Sequence, residues 1–480
     1  MSVLLKEDRD GNDAVQPILY RIMRPMAIDV PAKLYIEKLL KDSRSIARGL
    51  AILPGSVKAT ALHAMAERLA SDLDTILTAN ARDVEAVGKS FGEGAAKERM
   101  KAAVAHVRVT AEQIRDLVEQ LHQIAELPDP VGLVVSRQER PDGLQVSRVK
   151  APIGVLGVLS ERSPLVTVES IALGLKSGNF CVLRGASEWR HTHQAIDAGL
   201  HEAAGKSGVP ARAWILIDRT EKDVALELMR SAKGVDALIV RGGAGLRKAV
   251  AEQAKMPVLC DDGGLTHLYV DGDTDIPMAQ NLVINSKVQQ SGASNSLDTL
   301  LVQQVIGRQF LPPLINRLLD EFKVEVHACP KTVALMGQMA MTGHTAIVPA
   351  TEADWMTQFA GPTLAIKMVD GLDEALAHIA AHRPSLTAAI VTNRYESAMR
   401  FTKEVDAAAV LVNASTRLHA GESFGIGRDM GLSVGKLHAK GPIGLEQLTC
   451  EKYVAFGAGQ LQLPHPVPET YFDAIMLKRP

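Results

Sequence analysis

The feature that most restricts the fold is a regular alternation of short apolar runs with helix-like stretches, which begins at Ile153. Runs such as Ile153 to Leu159 and Asn179 to Leu183 have the composition of strands, and helical spacing marks the residues between them. Alternation at this spacing predicts right-handed βαβ crossovers and a parallel sheet. It resumes from Leu268 to about Val412, so we predict an α/β protein with two parallel-sheet units.

Composition agrees with this class and excludes some partners. The 480 residues suffice for two or three packed domains. Only 4% are aromatic, so the interior must be built mostly from small aliphatic side chains, which suits helices packed on a parallel sheet. A net charge of −2 provides no basic field for nucleic acid or an anionic membrane. No apolar run reaches the roughly 20 residues needed to span a bilayer, and we expect a cytoplasmic protein.

The N-terminal part has a different texture. From about Ala32 to Leu127 the pattern is helical, and the prolines that follow Leu127 end it. Residues Gly132 to Val149 then alternate apolar and polar side chains around Pro141-Asp142-Gly143, which predicts a β-hairpin. Such a hairpin serves either as an oligomerisation arm or as a simple surface flap, and the sequence supports both nearly equally.

The four cysteines indicate no metal site. Cys181, Cys260, Cys329 and Cys450 lie far apart and form no CxxC pair. Neither a zinc site nor a disulfide framework is expected from such spacing. We therefore predict free, buried thiols in a reducing compartment.

Two turns that contain glycine follow apolar strands and open helices. They are Arg184-Gly185-Ala186-Ser187-Glu188 and Arg241-Gly242-Gly243-Ala244-Gly245. Glycine lets main-chain amides approach a phosphate, and ligands of open α/β sheets collect beyond the carboxyl ends of strands. Neither turn is a GxGxxG or P-loop match. Phosphate contact and ordinary glycine punctuation are therefore about equally supported.

Three further segments have the composition of a site. The small, polar stretch Asn285 to Asn295 could present a nucleophile or could simply connect two elements. The strand Val410 to Val412 ends in hydroxyls and Arg417, whose planar fork suits a carboxylate, a phosphate or a structural salt bridge. The segment Lys436 to Glu446 either closes over an anionic ligand or forms a corner between domains.

These segments, in this order, resemble the γ-glutamyl phosphate reductase family of the aldehyde dehydrogenase superfamily. The similarity runs from about Ala32 to Gly459. Its most telling pieces are Leu175-Lys176-Ser177-Gly178-Asn179, Leu183-Arg184-Gly185, Arg241-Gly242-Gly243-Ala244-Gly245-Leu246, Val412-Asn413-Ala414-Ser415-Thr416-Arg417 and Lys436-Leu437-His438-Ala439-Lys440-Gly441-Pro442.

The resemblance implies an aldehyde-dehydrogenase-like architecture of two parallel-sheet α/β domains with a β-hairpin arm, assembled as a homodimer or homotetramer. It implies these divisions: an N-terminal extension (1–30), a cofactor-binding domain (31–131 and 150–258), an oligomerisation arm and tail (132–149 and 450–480) and a catalytic domain (259–449).

The resemblance also implies NADPH-dependent reduction of L-glutamyl 5-phosphate to L-glutamate 5-semialdehyde, a step of proline biosynthesis. A glutamate kinase is the implied partner. In that chemistry a cysteine thiolate displaces phosphate, and the resulting thioester accepts hydride.

The family's functional residues carry over onto matching positions of this sequence. The implied catalytic residues are Ser294 and Asn295. The implied cofactor-binding residues are Arg184, Gly185, Ser187, Glu188, Arg241, Gly242, Gly243 and Gly245. The implied substrate-binding residues are Glu161, Lys287, Asn413, Ser415, Thr416, Arg417 and His438.

Three departures from the family pattern cluster where the chemistry is expected. Ser294 stands where the family has its cysteine, and Gln290-Ser291 replaces an Arg-Pro pair. The run Ser160-Glu161-Arg162-Ser163-Pro164 replaces Tyr-Glu-Ala-Arg-Pro. A serine needs a base beside it to act as a nucleophile. Two alternatives therefore stand beside the reductase: a disabled or repurposed paralogue that binds a glutamyl-type ligand or a partner, and an acyl transferase based on Ser294.

Overall fold

The computed structural model describes residues 30–91, 97–260, 263–338 and 347–462. The predicted N-terminal extension, apart from Val30, lies outside the described residues, as does the part of the predicted tail from residue 463 onward. No helix in the four described stretches is long and apolar enough to cross a membrane.

Helices dominate the N-terminal part, and strands and helices alternate after it. The α-helices of the described chain are α1 (Ala32–Leu40), α2 (Ser43–Ala51), α3 (Gly55–Ser71), α4 (Leu73–Ser90), α5 (Lys97–Val107), α6 (Ala111–Glu126), α7 (Pro164–Lys176), α8 (Arg190–Lys206), α9 (Lys222–Arg230), α10 (Ala244–Gln253), α11 (Ile276–Val288), α12 (Gly307–Asp320), α13 (Pro330–Gln338), α14 (Leu372–Ala381) and α15 (Tyr395–Glu404). The strands are β1 (Val134–Glu139), β2 (Gln145–Pro152), β3 (Val155–Ser160), β4 (Phe180–Arg184), β5 (Trp214–Leu216), β6 (Ala237–Arg241), β7 (Val258–Cys260), β8 (Leu265–Val270), β9 (Thr299–Gln303), β10 (Glu325–Ala328), β11 (Ile347–Pro349), β12 (Thr363–Val369), β13 (Ser385–Val391), β14 (Ala407–Val412), β15 (Leu432–Ser433), β16 (Gly441–Pro442) and β17 (Thr449–Phe456).

The first parallel sheet contains the switch point expected of a doubly wound fold. Its strand order is β5-β4-β3-β6-β7. Strand β3 is buried along its whole length, because helices cover both faces of a parallel sheet. The chain runs from β3 outward to β4 and β5, and then returns to β6 on the other side of β3. The crevice between the carboxyl ends of β3 and β6 is therefore the place where such sheets bind ligands.

Local sequence fixes where the helix after β3 begins. Ser163 is the N-cap of α7, and its Oγ accepts a hydrogen bond from the Leu165 amide at 3.3 Å. Pro164 occupies the first helical position, where a missing N–H costs nothing. The segment from β3 into α7 is thus held rigidly at the edge of the crevice.

The second parallel sheet is larger and confirms the second α/β unit. Its order is β11-β10-β12-β9-β8-β13-β14, and all its registers are parallel. Strands β9 and β8 lie near its centre. Side chains from α11 and α12 join those of the sheet in a core that includes Val283, Phe310 and Ile366.

The predicted hairpin is confirmed. Strands β1 and β2 pair antiparallel, and the Arg140 amide donates to the Leu144 carbonyl at 2.9 Å across the turn. Strand β17 adds to the other edge of β2 and makes a three-stranded sheet. Every residue of β1 is exposed, including Val134 and Val135. Its use as an oligomerisation arm stays a prediction.

The expectation of buried thiols is wrong for one cysteine. Cys181 and Cys329 are buried, whereas Cys450 is exposed. The reason is its place on β17, which pairs with β2 in the projecting sheet and is exposed over most of its length. Across the described ranges, no group of three or more His, Cys, Asp or Glu side chains is arranged to hold a metal ion.

Two histidines, His267 and His378, are buried in the larger parallel-sheet unit. His267 on β8 is fully buried, and in the described chain neither of its ring nitrogens has a hydrogen-bond partner. His378 on α14 lies against it, with ring centroids 5.8 Å apart. Burial lowers the pKa of His267 to about 3 and the pKa of His378 to about 2, because the charged ring loses its hydration.

Acid is therefore expected to destabilise the fold through these rings. In the unfolded chain these histidines have a pKa of about 6.5, which is higher than in the folded protein. Below pH 6.5 the unfolded chain therefore binds protons that the folded protein does not, and the free energy of unfolding falls as the pH falls. Between pH 7 and pH 5 each ring removes about 2 kcal/mol from the free energy of unfolding. Urea unfolding at both pH values measures this difference. His267→Leu should shrink it by about that amount, and an undiminished difference would contradict the assignment to this ring.

Candidate functional site

The glycine turn after β6 opens α10 at the switch point. Arg241 forms an ion pair with Glu169, with Nη1 and Oε2 2.8 Å apart, and Gly243 is the N-cap of α10. Glu161, directly after β3, reaches across the crevice, and its Oε2 accepts a hydrogen bond from the Gly243 amide at 3.0 Å. Gly245 is exposed in the first helical turn. The helix N-terminus thus already binds one carboxylate oxygen, as its partial positive charge favours.

The turn after β4 borders a cavity of about 170 Å³. Gly185 lines this cavity together with residues of α8 and of the loop after β5. A Cβ at position 185 would lie 2.3 Å from the ring of His193, so only glycine fits there. Ser187 and Glu188 lie in the 3₁₀ turn that leads into α8. These residues place the second glycine turn at the same edge of the sheet as the first.

Arg184 stands beside the cavity with unused bonding capacity. Its Nη2 donates to the Thr220 carbonyl at 2.5 Å. Its Nε is buried and has no hydrogen-bond partner within the described ranges. Burial lowers the pKa of the Arg184 guanidinium, and the carboxylate of Glu161 acts against that effect. A guanidinium in such a position can donate a hydrogen bond to a phosphate oxygen.

The Ser294 loop connects α11 to the amino end of β9. Ser294 is partly exposed. Its carbonyl oxygen accepts hydrogen bonds from Thr266 Oγ1 at 3.3 Å and from Gln358 Nε2 at 3.2 Å. Thr266 lies on β8 and Gln358 precedes β12. The main chain at Ser294 is therefore fixed by two elements that are distant in sequence.

Asn295 joins this loop to the segment after β14. Its Nδ2 donates to the His419 carbonyl at 2.8 Å and to the Arg417 carbonyl at 3.4 Å. Its Oδ1 is buried and finds no hydrogen-bond partner among the described residues. An unsatisfied buried oxygen is uncommon in proteins and often marks a functional position.

The residues after β14 turn back over α11. Ser415 Oγ donates to Asn285 Oδ1 at 2.6 Å, and the Thr416 amide donates to Ser286 Oγ at 3.1 Å. Asn413 is different, because both ends of its side-chain amide bond the main chain of Thr392 at 2.9 Å. Asn413 therefore ties β14 to β13, while Ser415 and Thr416 carry the chain to the Ser294 loop.

Arg417 places an uncompensated positive charge on that loop. Its Nε donates to Gln289 Oε1 at 2.8 Å and its Nη2 to Gln290 Oε1 at 2.7 Å. Both partners are neutral amides, and no carboxylate in the described chain forms an ion pair with it. Burial lowers the pKa of Arg417. The structural salt bridge is thus not observed here, and the geometry favours recognition of an anion.

A buried pair, Lys287 and Asp298, lies behind the Ser294 loop. Asp298 accepts from the Thr266 amide at 3.0 Å and from the Phe359 amide at 2.9 Å. Lys287 is fully buried, and its Nζ has no hydrogen-bond partner in the part of the chain described. Desolvation lowers the pKa of Lys287 and raises that of Asp298. Asp298 thus holds the main chain beside the residues that bond the Ser294 carbonyl, and Lys287 is inside the protein rather than at its surface.

His419 is a potential functional group that sequence reasoning missed. Its Nδ1 lies 2.8 Å from Thr387 Oγ1, and its buried Nε2 has no partner within the described stretches. Thr387 is paired in register with Thr266, whose hydroxyl holds the Ser294 carbonyl. Burial lowers the pKa of His419 to about 4, so the ring is neutral at pH 7. The sequence does not mark His419 as functional, because it is a single histidine next to the hydroxyls and the arginine that define the segment.

The predicted residue His438 lies in a structural corner. Its Nε2 is 2.7 Å from the Gln447 carbonyl oxygen. The neighbouring Lys436 and Lys440 both bond Asp406, at 2.5 and 2.7 Å. This geometry supports the corner between elements rather than a cover for an anionic ligand.

The two halves of the site meet at Gly263. A Cβ at this glycine would lie 2.7 Å from Gln358 Oε1 and 2.8 Å from Arg247 Nη2. Gln358 is the residue that holds the Ser294 carbonyl, and Arg247 Nη1 donates to the Gly242 carbonyl at 3.0 Å. The glycine turn of α10 and the Ser294 loop are therefore brought together from separate sheets.

Comparison with known proteins agrees with this architecture. Residues 29–343 and 345–454 match the aldehyde dehydrogenase family. The chain is 40% identical over 422 residues to the γ-glutamyl phosphate reductase of Heliobacterium modesticaldum, covering 88% of this chain and 97% of that protein. It is 42% identical over 420 residues to the protein of the same name from Moorella thermoacetica, with 88% and 97% covered.

A solved structure gives the same result. The crystal structure of γ-glutamyl phosphate reductase from Thermotoga maritima superposes with a TM-score of 0.82 at 34% identity, covering 88% of this chain and 99% of that one. The chain therefore belongs to the aldehyde dehydrogenase family and, within it, to the γ-glutamyl phosphate reductases.

Proposed function

We propose that this protein reduces L-glutamyl 5-phosphate to L-glutamate 5-semialdehyde with NADPH, using Ser294 in the place of the family's cysteine. Relatives that bear the reductase name match over nearly their whole length. The observation that carries the proposal is the junction at Gly263, where Arg247 of α10 converges with Gln358, whose side chain bonds the Ser294 carbonyl. A dinucleotide and an acyl group bound at these two places would be adjacent.

The residues of the first domain fit a dinucleotide phosphate. The cavity beside Gly185 lies at the carboxyl edge of the sheet, where an adenosine would sit. Arg184 offers a buried Nε, and an arginine in such a position accommodates the 2′-phosphate of NADP. Ser187, Glu188 and the amides of the α10 turn complete the proposed contacts. When bound, NADPH supplies the hydride.

The residues of the second domain fit an anionic acyl phosphate. Arg417 would bind a carboxylate or phosphate of the substrate with its planar fork. The Ser294 hydroxyl would attack the acyl carbon, forming an ester as the bond to phosphate breaks. Asn295, Ser415 and Thr416 fix the two segments that carry these groups.

The division into domains follows from this assignment. We assign residues 31–131 and 150–258 to the cofactor, 259–449 to catalysis, and the hairpin with the tail to assembly as a homodimer or homotetramer. The exposed apolar side chains on β1 support the last role. A glutamate kinase is a suitable partner, because an acyl phosphate is a reactive anhydride that benefits from direct transfer. We place the protein in the cytoplasm as part of this proposal.

Turnover by the purified protein tests the proposal. L-glutamate 5-semialdehyde, phosphate and NADP⁺ should yield NADPH, followed by its absorbance, because the reaction is reversible. The rate should depend on phosphate and disappear in Ser294→Ala. Absence of NADPH formation at any protein concentration, with the protein folded, would contradict the reductase.

His419 favours a second candidate, acyl transfer from Ser294 to an acceptor other than hydride. Its neutral imidazole, whose Nε2 has no partner in the described chain, lies in a segment that Asn295 bonds, and an imidazole is the kind of base that a serine nucleophile requires. Release of more than one phosphate per chain from acetyl phosphate without any dinucleotide, lost in both Ser294→Ala and His419→Asn, would identify this activity. Release beyond one phosphate per chain only with NADPH would identify the reductase.

A further inference from the structure

Glu161 occupies the anion position of the α10 helix. The residue follows β3, and its amide donates to the Arg241 carbonyl at 2.9 Å, which anchors it to β6. Its Oε2 accepts from the Gly243 amide at 3.0 Å. The carboxylate oxygen thus stands where an oxygen of a bound diphosphate would accept the same amide hydrogen.

The glycine turn is shaped around this carboxylate. A Cβ at Gly242 would lie 2.8 Å from Glu161 Oε2, and one at Gly243 would lie 3.7 Å from it. Glycine at position 242 is therefore needed for the carboxylate to approach. The turn that the sequence marked for phosphate contact is filled by a side chain of the same protein.

The arginines around the crevice already have bonding partners or lie in the field of the Glu161 carboxylate. Arg241 is paired with Glu169 at 2.8 Å, and Arg247 donates to the Gly242 carbonyl at 3.0 Å. Arg184 experiences the charge of Glu161. A diphosphate that entered while Glu161 stayed would place like charges side by side at the same amide, which is unfavourable.

We propose that Glu161 is a specificity-determining residue of the dinucleotide site, which closes the α10 amide to small anions and must swing away when a dinucleotide binds. This rests on the proposed function. A dinucleotide anchored through its adenosine in the cavity beside Gly185 has the binding energy to displace the carboxylate, whereas inorganic phosphate and diphosphate do not. The residue that resemblance assigned to substrate therefore acts on the cofactor's phosphates.

Equilibrium binding tests this role without any turnover. The dissociation constants of NADPH and of adenosine 2′-monophosphate are measured by calorimetry for the unmodified protein, Glu161→Gln and Glu161→Ala. Glu85→Gln, the same change at an exposed residue of α4, is the matched control. Both Glu161 variants should bind NADPH at least about 10-fold more tightly, whereas adenosine 2′-monophosphate, which lacks both phosphates of the bridge, should bind all four proteins equally.

Each other outcome has a definite meaning. If adenosine 2′-monophosphate binds but NADPH affinity is unchanged or weaker in Glu161→Ala, Glu161 does not compete and the inference is wrong, while the dinucleotide site stands. If both ligands tighten equally, the effect is a general charge effect, and the inference is again overturned. If neither ligand binds any of the four folded proteins, the proposed function fails and this inference fails with it.

Discussion

The Ser294→Cys variant is expected to form NADPH from the semialdehyde and phosphate at least about 100-fold faster than the unmodified protein, a difference of about 3 kcal/mol in activation free energy. A cysteine thiol has a pKa of about 8.5, so a fraction is thiolate near neutral pH, whereas a serine hydroxyl is almost never ionised. The acyl carbon of a thioester also accepts hydride, or attack by phosphate, more readily than that of an oxyester. The change adds little volume, and the carbonyl bonds from Thr266 and Gln358 do not involve the side chain.

Ser291→Cys provides the control for this gain. It puts a thiol in the same loop three residues earlier, and it should leave the rate unchanged. An equal gain in Ser291→Cys would show that Ser294 is not the position of the nucleophile. Equal inactivity of Ser294→Cys and the unmodified protein would show that the departures at Gln290 and Ser163 have removed the chemistry as well.

Replacing Arg417 should have the second large effect. Arg417→Gln, made in the Ser294→Cys background, is expected to lower kcat/KM for the anionic substrate about 100-fold or more, since a charge-assisted bidentate contact is lost. Glutamine keeps a polar group that can still bond Gln289 or Gln290, so the thermal midpoint should change little. The loss should appear mainly in KM.

Two measurements make the Arg417 result specific. Arg400→Gln removes a guanidinium that is paired with Asp373 and Glu404 on an exposed helix, and it should leave kcat/KM unaltered. The NADPH dissociation constant should also be unaltered in Arg417→Gln. An unchanged kcat/KM, or a parallel loss of NADPH affinity, would contradict the assignment of Arg417 to the substrate.

Much of the fold could be predicted from the sequence, because apolar residues recur with the periods of strands and helices. Strand-like runs such as Ile153 to Leu159 fall within or overlap strands of the two parallel sheets, and the hairpin around Pro141-Asp142-Gly143 forms as predicted. The exposure of Cys450 was not predicted, since it follows from the pairing of β17 with β2, a contact between distant parts of the chain.

The site was only partly predictable for the same reason. Ser294 and Arg417 lie in segments with unusual composition, and the structure brings those segments together. Thr266, Gln358 and His419 are isolated polar residues whose importance depends on tertiary contacts. Composition can mark a residue as part of a site but does not show where its side chain points. The hydrogen bond between the Glu161 carboxylate and the Gly243 amide could therefore not be predicted.

A single-turnover reaction without phosphate shows most directly whether Ser294 is the nucleophile of a dinucleotide-dependent site. The unmodified protein is incubated with L-glutamate 5-semialdehyde and NADP⁺ and then digested for peptide mass spectrometry. Up to one NADPH per chain should form, and the acyl group should be found as an ester on Ser294, because without phosphate nothing releases it rapidly. NADPH formation with the acyl group on another residue, or no NADPH and no acylated peptide, would contradict this assignment.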